Sequence, residues 1–496
     1  MNSGLNFVPK FSESSKFSRI GFLMMALLLC RSLSGSAQGI NFELVTGTTG
    51  IDDAKCIVQT FDSGYVFAGS TSAFGFGQSD IYLSKISKAG KVLWQQAIGG
   101  AGIEKGNWLI QTPDSGYAIA GYSNGSAGGG YDVYLAKTDK DGIVEWSHTY
   151  GGMDWDFGKS LIQTSAGDYV ICGNTYSYGK GDADVYLLKI NSSGILLWDS
   201  AYGGSLEEAG NTVCEAADGG FFITGYTKSF GQGAEDIYLI KTDANGNRDW
   251  DKAYGGTNDD YASGGTPAEN GGFMVGASTK SFHSRKYYET WFMKTDSDGN
   301  MAAPLFRIDS IAYDRYVTSV VPVADGGFIF SGYTYNSQDD YFLYHTDSDG
   351  WYISWGGYGG NYNDDCFSVK QTYDSGFVAV GTTQSYGQGL PNIYVLKTNY
   401  DLNSTATIVI VVGEQEYQAA QKKLTLYPVP ANDQFSFYAE ENSSLEIFDV
   451  LGNSVYAGEV VKGKNQVVAG CLADGIYLVK VSSEKQTAAE KIIIRH

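Results

Sequence analysis

Positive charge is scarce in this chain. Its 496 residues carry 34 Lys and Arg against 55 Asp and Glu, a formal net charge of −21. Such an acidic surface repels phosphate backbones, which argues against nucleic acid as a partner. Proline occurs only 8 times and no three-residue period is present, so a collagen-like rod is excluded. The four histidines, His148, His283, His345 and His496, form no ligand pair, and no zinc site or other metal centre is expected. Of six cysteines, Cys30 lies near the N-terminus and the other five share no common spacing. That is not a disulfide framework. No apolar run reaches the roughly 20 residues that a membrane-spanning helix needs. What remains is abundant: 65 Gly, 36 Tyr, 25 Phe and an apolar fraction of 43%. This composition excludes disorder and points to short strands joined by tight turns.

The N-terminus reads as an export address. Lys10, Lys16 and Arg19 precede an apolar run over residues 20–30, which ends at Arg31, and Gly35-Ser36-Ala37 offers small residues for cleavage. Basic, apolar and small-residue regions in that order predict a signal peptide over residues 1–37. The alternative, lipidation at Cys30, suffers from Leu29, since a small residue belongs there.

Aligned on itself with a shift of 52, the chain repeats. Trp94, Trp146, Trp198 and Trp250 fall in register, as do glycine pairs beginning at Gly99, Gly151, Gly203 and Gly255. Asp80-Ile81-Tyr82-Leu83 recurs as Asp132-Val133-Tyr134-Leu135, Asp184-Val185-Tyr186-Leu187 and Asp236-Ile237-Tyr238-Leu239. Degraded versions follow through Asn392-Ile393-Tyr394-Val395, making seven copies. In the second copy, extended segments at residues 108–112, 117–122, 133–138 and 143–150 are separated by turns such as Asp114-Ser115-Gly116 and Asp139-Lys140-Asp141-Gly142. Glycine supplies the positive φ that these turns require. Four antiparallel strands in about 50 residues, seven times over, predict an all-β, seven-bladed β-propeller. The coils of a parallel β-helix would be about half as long. Residues 42–47 match the fourth strand of a copy, while the seventh copy stops after its third. The N-terminal strand is therefore expected to close the last blade, leaving no open edge.

The copies resemble the seven-bladed propeller repeats of secreted bacterial proteins. The third carries Gly151-Gly152, Leu161-Ile162-Gln163-Thr164, Gly173-Asn174-Thr175, Asp184-Val185-Tyr186-Leu187-Leu188-Lys189 and Trp198. This resemblance covers about residues 40–401, within a propeller domain set at 40–403, and implies a fold rather than an activity. After residues 404–423, read as a linker with a short apolar run, residues 424–496 lose the period. Leu426-Tyr427-Pro428-Val429-Pro430, Ile447-Phe448-Asp449-Val450-Leu451-Gly452, Asp474-Gly475-Ile476-Tyr477-Leu478 and the closing Lys491-Ile492-Ile493-Ile494 resemble the C-terminal sorting domain of the type IX secretion route. That family is a small immunoglobulin-like β-sandwich. The resemblance implies Pro428, Pro430, Gly452, Gly475, Tyr477 and Lys491 as its signature, type IX machinery as a partner, and a secreted or cell-surface destination.

Chemistry is harder to find. Gly121-Tyr122-Ser123-Asn124-Gly125 matches a hydrolase elbow, but it ends a strand in a repeat, outside the strand–turn–helix context that motif needs. Asp296-Ser297-Asp298-Gly299 and Asp347-Ser348-Asp349-Gly350 open like calcium loops and lack the closing Glu. No catalytic residue and no cofactor is assigned. The remaining candidates are loops expected on one face of the ring. They carry acids (Asp53, Glu104, Asp154, Asp156, Glu208, Asp260, Asp365) and aromatics (Phe74, Trp155, Tyr178, Phe230, Tyr261). Such a set suits a glycan, a cation or a protein partner; repeated acids would equally serve to brace each blade-to-blade turn. The expectation is a secreted or surface binding propeller, with a surface glycan or a protein as the partner classes that fit the rim. The alternative is a polysaccharide-acting hydrolase or lyase using two rim carboxylates.

Overall fold

A computed structural model describes residues 40–495 apart from 74, 126–129, 269–270, 283–285, 302–305, 309–312, 336–340, 388–390, 405–406, 413–423, 425, 427–430, 432–433, 440, 449–453, 471 and 484–486. The signal segment, Phe74, Pro428, Pro430 and Gly452 lie outside those residues.

Seven sheets follow one another along the chain, the first six of them four-stranded antiparallel meanders. The first uses Asp52–Gln59, Tyr65–Thr71, Asp80–Ile86 and Val92–Ile98. The innermost strand of each sheet packs against those of both neighbours, and Asp364–Gln371 of the seventh packs back on Asp52–Gln59 of the first. The ring is closed: this is a seven-bladed β-propeller. In the last blade the fourth position is filled by Phe42–Gly47, antiparallel to Asn392–Thr398, with Phe42 opposite Lys397 and Thr46 opposite Ile393. The apolar run read as the start of the linker behaves differently. Ile408–Val412 adds a fifth strand, parallel to Phe42–Gly47, with Glu43 opposite Ile408. A parallel partner needs no turn chemistry beside it, so no local signal marks it.

Repetition explains how the blades hold each other. The outer-strand Trp of one blade lies on a glycine at positive φ in the next. A Cβ on Gly142 would sit 2.9 Å from Trp94, and one on Gly246 2.7 Å from Trp198. The same indole meets the aromatic residue that opens the neighbour's second strand, as Trp94 meets Tyr117 at 6.1 Å between ring centres. At the closure Phe42 takes this part. Its ring lies 5.9 Å from Tyr65, and a Cβ on Gly90 would meet it at 2.7 Å. Backbone closure is reinforced by Tyr373 N–H, which donates to Gln59 Oε1 at 2.7 Å.

The C-terminal unit pairs Ser454–Val460, Ser443–Phe448, Gly475–Ser482 and Thr487–Ile494 in one sheet, and Gln434–Ala439 with Gly463–Val468 in another. Phe435, Phe437, Leu445, Ile447, Val479 and Ile492 meet between them in a buried core. This is the immunoglobulin-like sandwich. Gly475 opens a strand, Tyr477 is buried with its hydroxyl on the Ala473 carbonyl at 2.9 Å, and the backbone of Lys491 pairs with Leu478.

Candidate functional site

The acids of the blade-to-blade turns go inward. Glu104, Asp156, Glu208 and Asp260, expected on exposed loops, are instead the first residues of the innermost strands and are at most 2% exposed. The strands start four residues before their apolar stretch because these carboxylates terminate the preceding turn. Each accepts the N–H of the residue four positions earlier: Gly100 at 2.7 Å, Gly152 at 2.8 Å, Gly204 at 2.6 Å and Gly256 at 2.8 Å. A second acid, at the head of the third strand, faces the same turn. A Cβ at Gly203 would lie 2.0 Å from Asp184 Oδ1 and 2.4 Å from Glu208 Oε2, so only glycine fits there. Burial pushes Asp52, Asp80, Asp156 and Asp236 above the usual carboxylate range, and a neighbouring carboxylate adds to it. These groups brace the ring and present nothing to a ligand.

Other candidates separate in the same way. Tyr178 and Phe230 fold back over the second glycine of the pair. Tyr178 Oη donates to Gly151 O at 2.9 Å, and a Cβ on Gly204 would meet the Phe230 ring at 3.1 Å. Ser123 of the elbow-like motif donates to Glu104 Oε1 at 2.6 Å, a bracing bond rather than a nucleophile's. Asp296 and Asp347 each accept two N–H groups of their own turn. Asp154 and Trp155 do stay on the rim. Trp155 is 52% exposed and sits among Tyr131, Phe157 and Tyr176 at ring distances of 5.9, 6.4 and 6.2 Å.

The chemistry converges elsewhere, on the axis. Alternation along the innermost strands sends their second and fourth residues toward the centre of the ring. The fourth residues, in blade order, are Lys55, Asn107, Lys159, Asn211, Ser263, Thr318 and Phe367, and together they line a cavity of about 530 Å³. Trp108, Thr212, Tyr226, Glu235 and Tyr261 complete its wall. Pockets that hold small ligands run from about 300 to 1,000 Å³. Of the residues proposed from sequence, Tyr261 lines this cavity, and Asp53 and Asp365 flank Lys55. Asp53 accepts Ser70 N–H and Oγ–H at 2.7 and 2.8 Å. Burial raises Asp365, against the pull of Lys55.

Lysines give the cavity its character. Lys159 Nζ donates to Asn211 Oδ1 at 3.1 Å, and Lys55 Nζ lies 3.4 Å from the centre of the Phe367 ring. Nearby, Lys105 Nζ donates to Ser70 Oγ at 2.8 Å and Lys370 Nζ lies 5.5 Å from the Trp108 ring. Burial lowers the pKa values of Lys55 and Lys159. Glu235, the cavity's carboxylate among the described residues, is raised by burial, against the pull of Lys228. Sequence reasoning missed Lys55, Asn107, Lys159, Asn211 and Phe367. The available signal was a position inside an otherwise repeated strand where the copies disagree in kind.

Comparison with known proteins separates the two units. Residues 425–495 match the secretion system C-terminal sorting domain. The tail is a type IX sorting domain. It directs the chain to the cell surface or the extracellular space. No curated protein matches the sequence. Among solved structures, the chain is similar to PorZ, an essential surface component of the type IX secretion system of Porphyromonas gingivalis, at 11% identity and a TM-score of 0.42, covering 91% of this chain and 59% of that one. It is similar to the Neurospora crassa Pan2 WD40 domain at 11% identity and 0.44, covering 72% and 90%. A puromycin hydrolase gives 10% identity and 0.44, covering 79% and 59%. The chain thus spans about three-fifths of PorZ and of the hydrolase, and its architecture rests on the strand pairing given above.

Proposed function

We propose that the propeller is a binding module, displayed on or released from the cell surface, that takes its ligand in the axial cavity. The observation that carries this reading is the contrast within each innermost strand. The first residue is almost invariably an acid that braces a turn, whereas the fourth differs from blade to blade and faces a shared cavity. A position that varies from blade to blade while facing one shared space is where recognition can be written. Screening the exported chain on an array of neutral and acidic glycans tests it. Retention should be lost when Tyr261 and Phe367 are both changed to Ala. No retained glycan, or retention indifferent to that double change, would overturn the reading.

A second reading, chemistry on the bound glycan, draws on Glu235, whose burial favours the protonated form a general acid needs. Its neighbourhood speaks for a brace: Lys228 bridges Glu207 at 2.6 Å and Glu235 at 3.5 Å, and Tyr226 Oη donates to Glu207 at 2.7 Å. Release of reducing ends from a retained glycan, abolished by Glu235→Gln, would favour the enzyme.

A further inference from the structure

Lysine at one repeated position of the propeller is committed to a carboxylate. At the sixth residue of the third strand, Lys85, Lys137, Lys189, Lys241 and Lys397 reach Asp62, Asp114, Asp168, Asp218 and Asp374 at 2.5, 2.9, 3.5, 2.7 and 3.1 Å. Along the axis this economy stops. Among the described residues, Lys55, Lys105, Lys159 and Lys370 have no carboxylate at ion-pairing distance, and their partners are an amide, a hydroxyl and two aromatic rings. Four ammonium groups thus gather inside a protein whose net charge is −21. Asp53 and Asp365 act on Lys55, and Glu207 on Lys159, only from beyond ion-pairing distance, so a partly desolvated cation here costs stability that an anion at contact distance would relieve.

The rest of the wall narrows the class of anion. Asn107 and Asn211 spend their N–H donors on the carbonyls of Gly158 and Ala262, at 2.7 and 2.8 Å. Their amide oxygens are thereby fixed in orientation, with Asn211 Oδ1 already turned to Lys159. Thr212, Ser263 and Thr318 add hydroxyls, and Trp108, Tyr226, Tyr261 and Phe367 add ring faces. An inorganic anion would leave the ring faces and most of the 530 Å³ unused. An apolar acid would strip water from the hydroxyls and amides without replacing it. A polyhydroxylated ring bearing an acid group meets all three sets. Resting on the binding reading above, we propose that the axial cavity is a receptor site for an anionic sugar, with its acid group held by Lys55 and Lys159 and its ring against the aromatic wall.

The test uses the full exported chain. Polygalacturonate and alginate serve as carboxylate probes, chondroitin sulfate as a sulfate-bearing probe, and laminarin and dextran as neutral ones. At least one acidic glycan should bind, at least about tenfold more tightly than the neutral pair, and more weakly as salt rises, because the lysine contacts are electrostatic. Lys159→Met and Lys55→Gln should each reduce that binding about tenfold, with an unchanged melting transition or a higher one showing that the fold is intact. Which acidic probes bind distinguishes carboxylate from sulfate. Equal binding of neutral glycans, lost in the Tyr261→Ala, Phe367→Ala chain, would overturn the anionic proposal and leave the binding module standing. Acidic binding indifferent to both lysine variants would overturn it too. Failure to bind any glycan would remove both.

Discussion

The periphery and the axis of this propeller are built from the same strands and obey opposite rules. Around the outside a fixed cast of side chains recurs at fixed positions, and each has a partner. Trp94, Trp146 and Trp198 rest on the next blade's turn glycine, and Lys137 bridges Asp114 and Glu145 at 2.9 and 3.0 Å. At the axis the fourth residue of each innermost strand changes from lysine to amide, hydroxyl or phenyl, and among the described residues Lys55 and Lys159 have no carboxylate at ion-pairing distance. The lesson is that repetition marks what seven blades need in order to stand together, while its breakdown at an inward-facing position marks what one particular surface is for.

The contrast can be broken most severely at the closure. Phe42 is buried and stands where other blades carry Trp, so Phe42→Ala should cost about 3–5 kcal/mol, read as a fall in the denaturant midpoint. An undiminished midpoint would mean the ring does not depend on its N-terminal strand. A smaller effect should separate the first and second glycine positions of the blade-to-blade turns, taken from two different turns. Gly203→Ala drives a methyl to 2.0 Å from Asp184 Oδ1 and should cost about 1–3 kcal/mol. Gly100→Ala, with nothing within 4 Å of its new Cβ, should stay within about 0.5 kcal/mol of the parent. Similar losses at both would contradict the bracing role given to the buried acids.

Acid should find the periphery before the axis. Asp62 and Asp114 are held down to about 2: burial acts against them, but Lys85 and Lys137, with Thr60 and Thr112, outweigh it. Since an unfolded Asp titrates near 3.9, their stabilisation is fully present above that value and is lost as pH falls from about 4 toward 2. Burial lowers Lys55 and Lys159, so their penalty is present at neutral pH and fades as pH climbs toward an unfolded lysine's 10.4. Melting curves should therefore fall steeply below pH 4 in the parent and less steeply in Asp114→Asn. An identical acid limb in the variant would remove the outer ion pairs from the explanation.

Much of this was legible from residues. The 52-residue period, the four strands per copy and the closing role of Phe42 all followed from spacing, because packing between equivalent blades imposes the same side chain at the same place. The placement of Glu104, Asp156, Glu208 and Asp260 was not. Polar residues before an apolar run look like loop, and only the hydrogen bond back to the turn shows that the strand has already begun. Ile408–Val412 was hidden because parallel addition at an edge leaves no turn beside it. Lys55 and Lys159 were hidden for a deeper reason: a site assembled from seven different residues, one per blade, has no motif in sequence.

The most direct measurement compares two lysines of one protein. Lys241 lies between Asp218 and Asp249 at 2.7 and 3.3 Å, whereas among the described residues Lys159 Nζ bonds the Asn211 amide and no carboxylate. Thermal melts of ligand-free Lys241→Met and Lys159→Met should move in opposite directions, the first losing about 1–3 kcal/mol with its charge-assisted bonds, the second holding or gaining stability. A comparable loss in both would show that the axial lysine is as much a part of the scaffold as the outer one, and the axis would no longer stand apart as a place kept for something else.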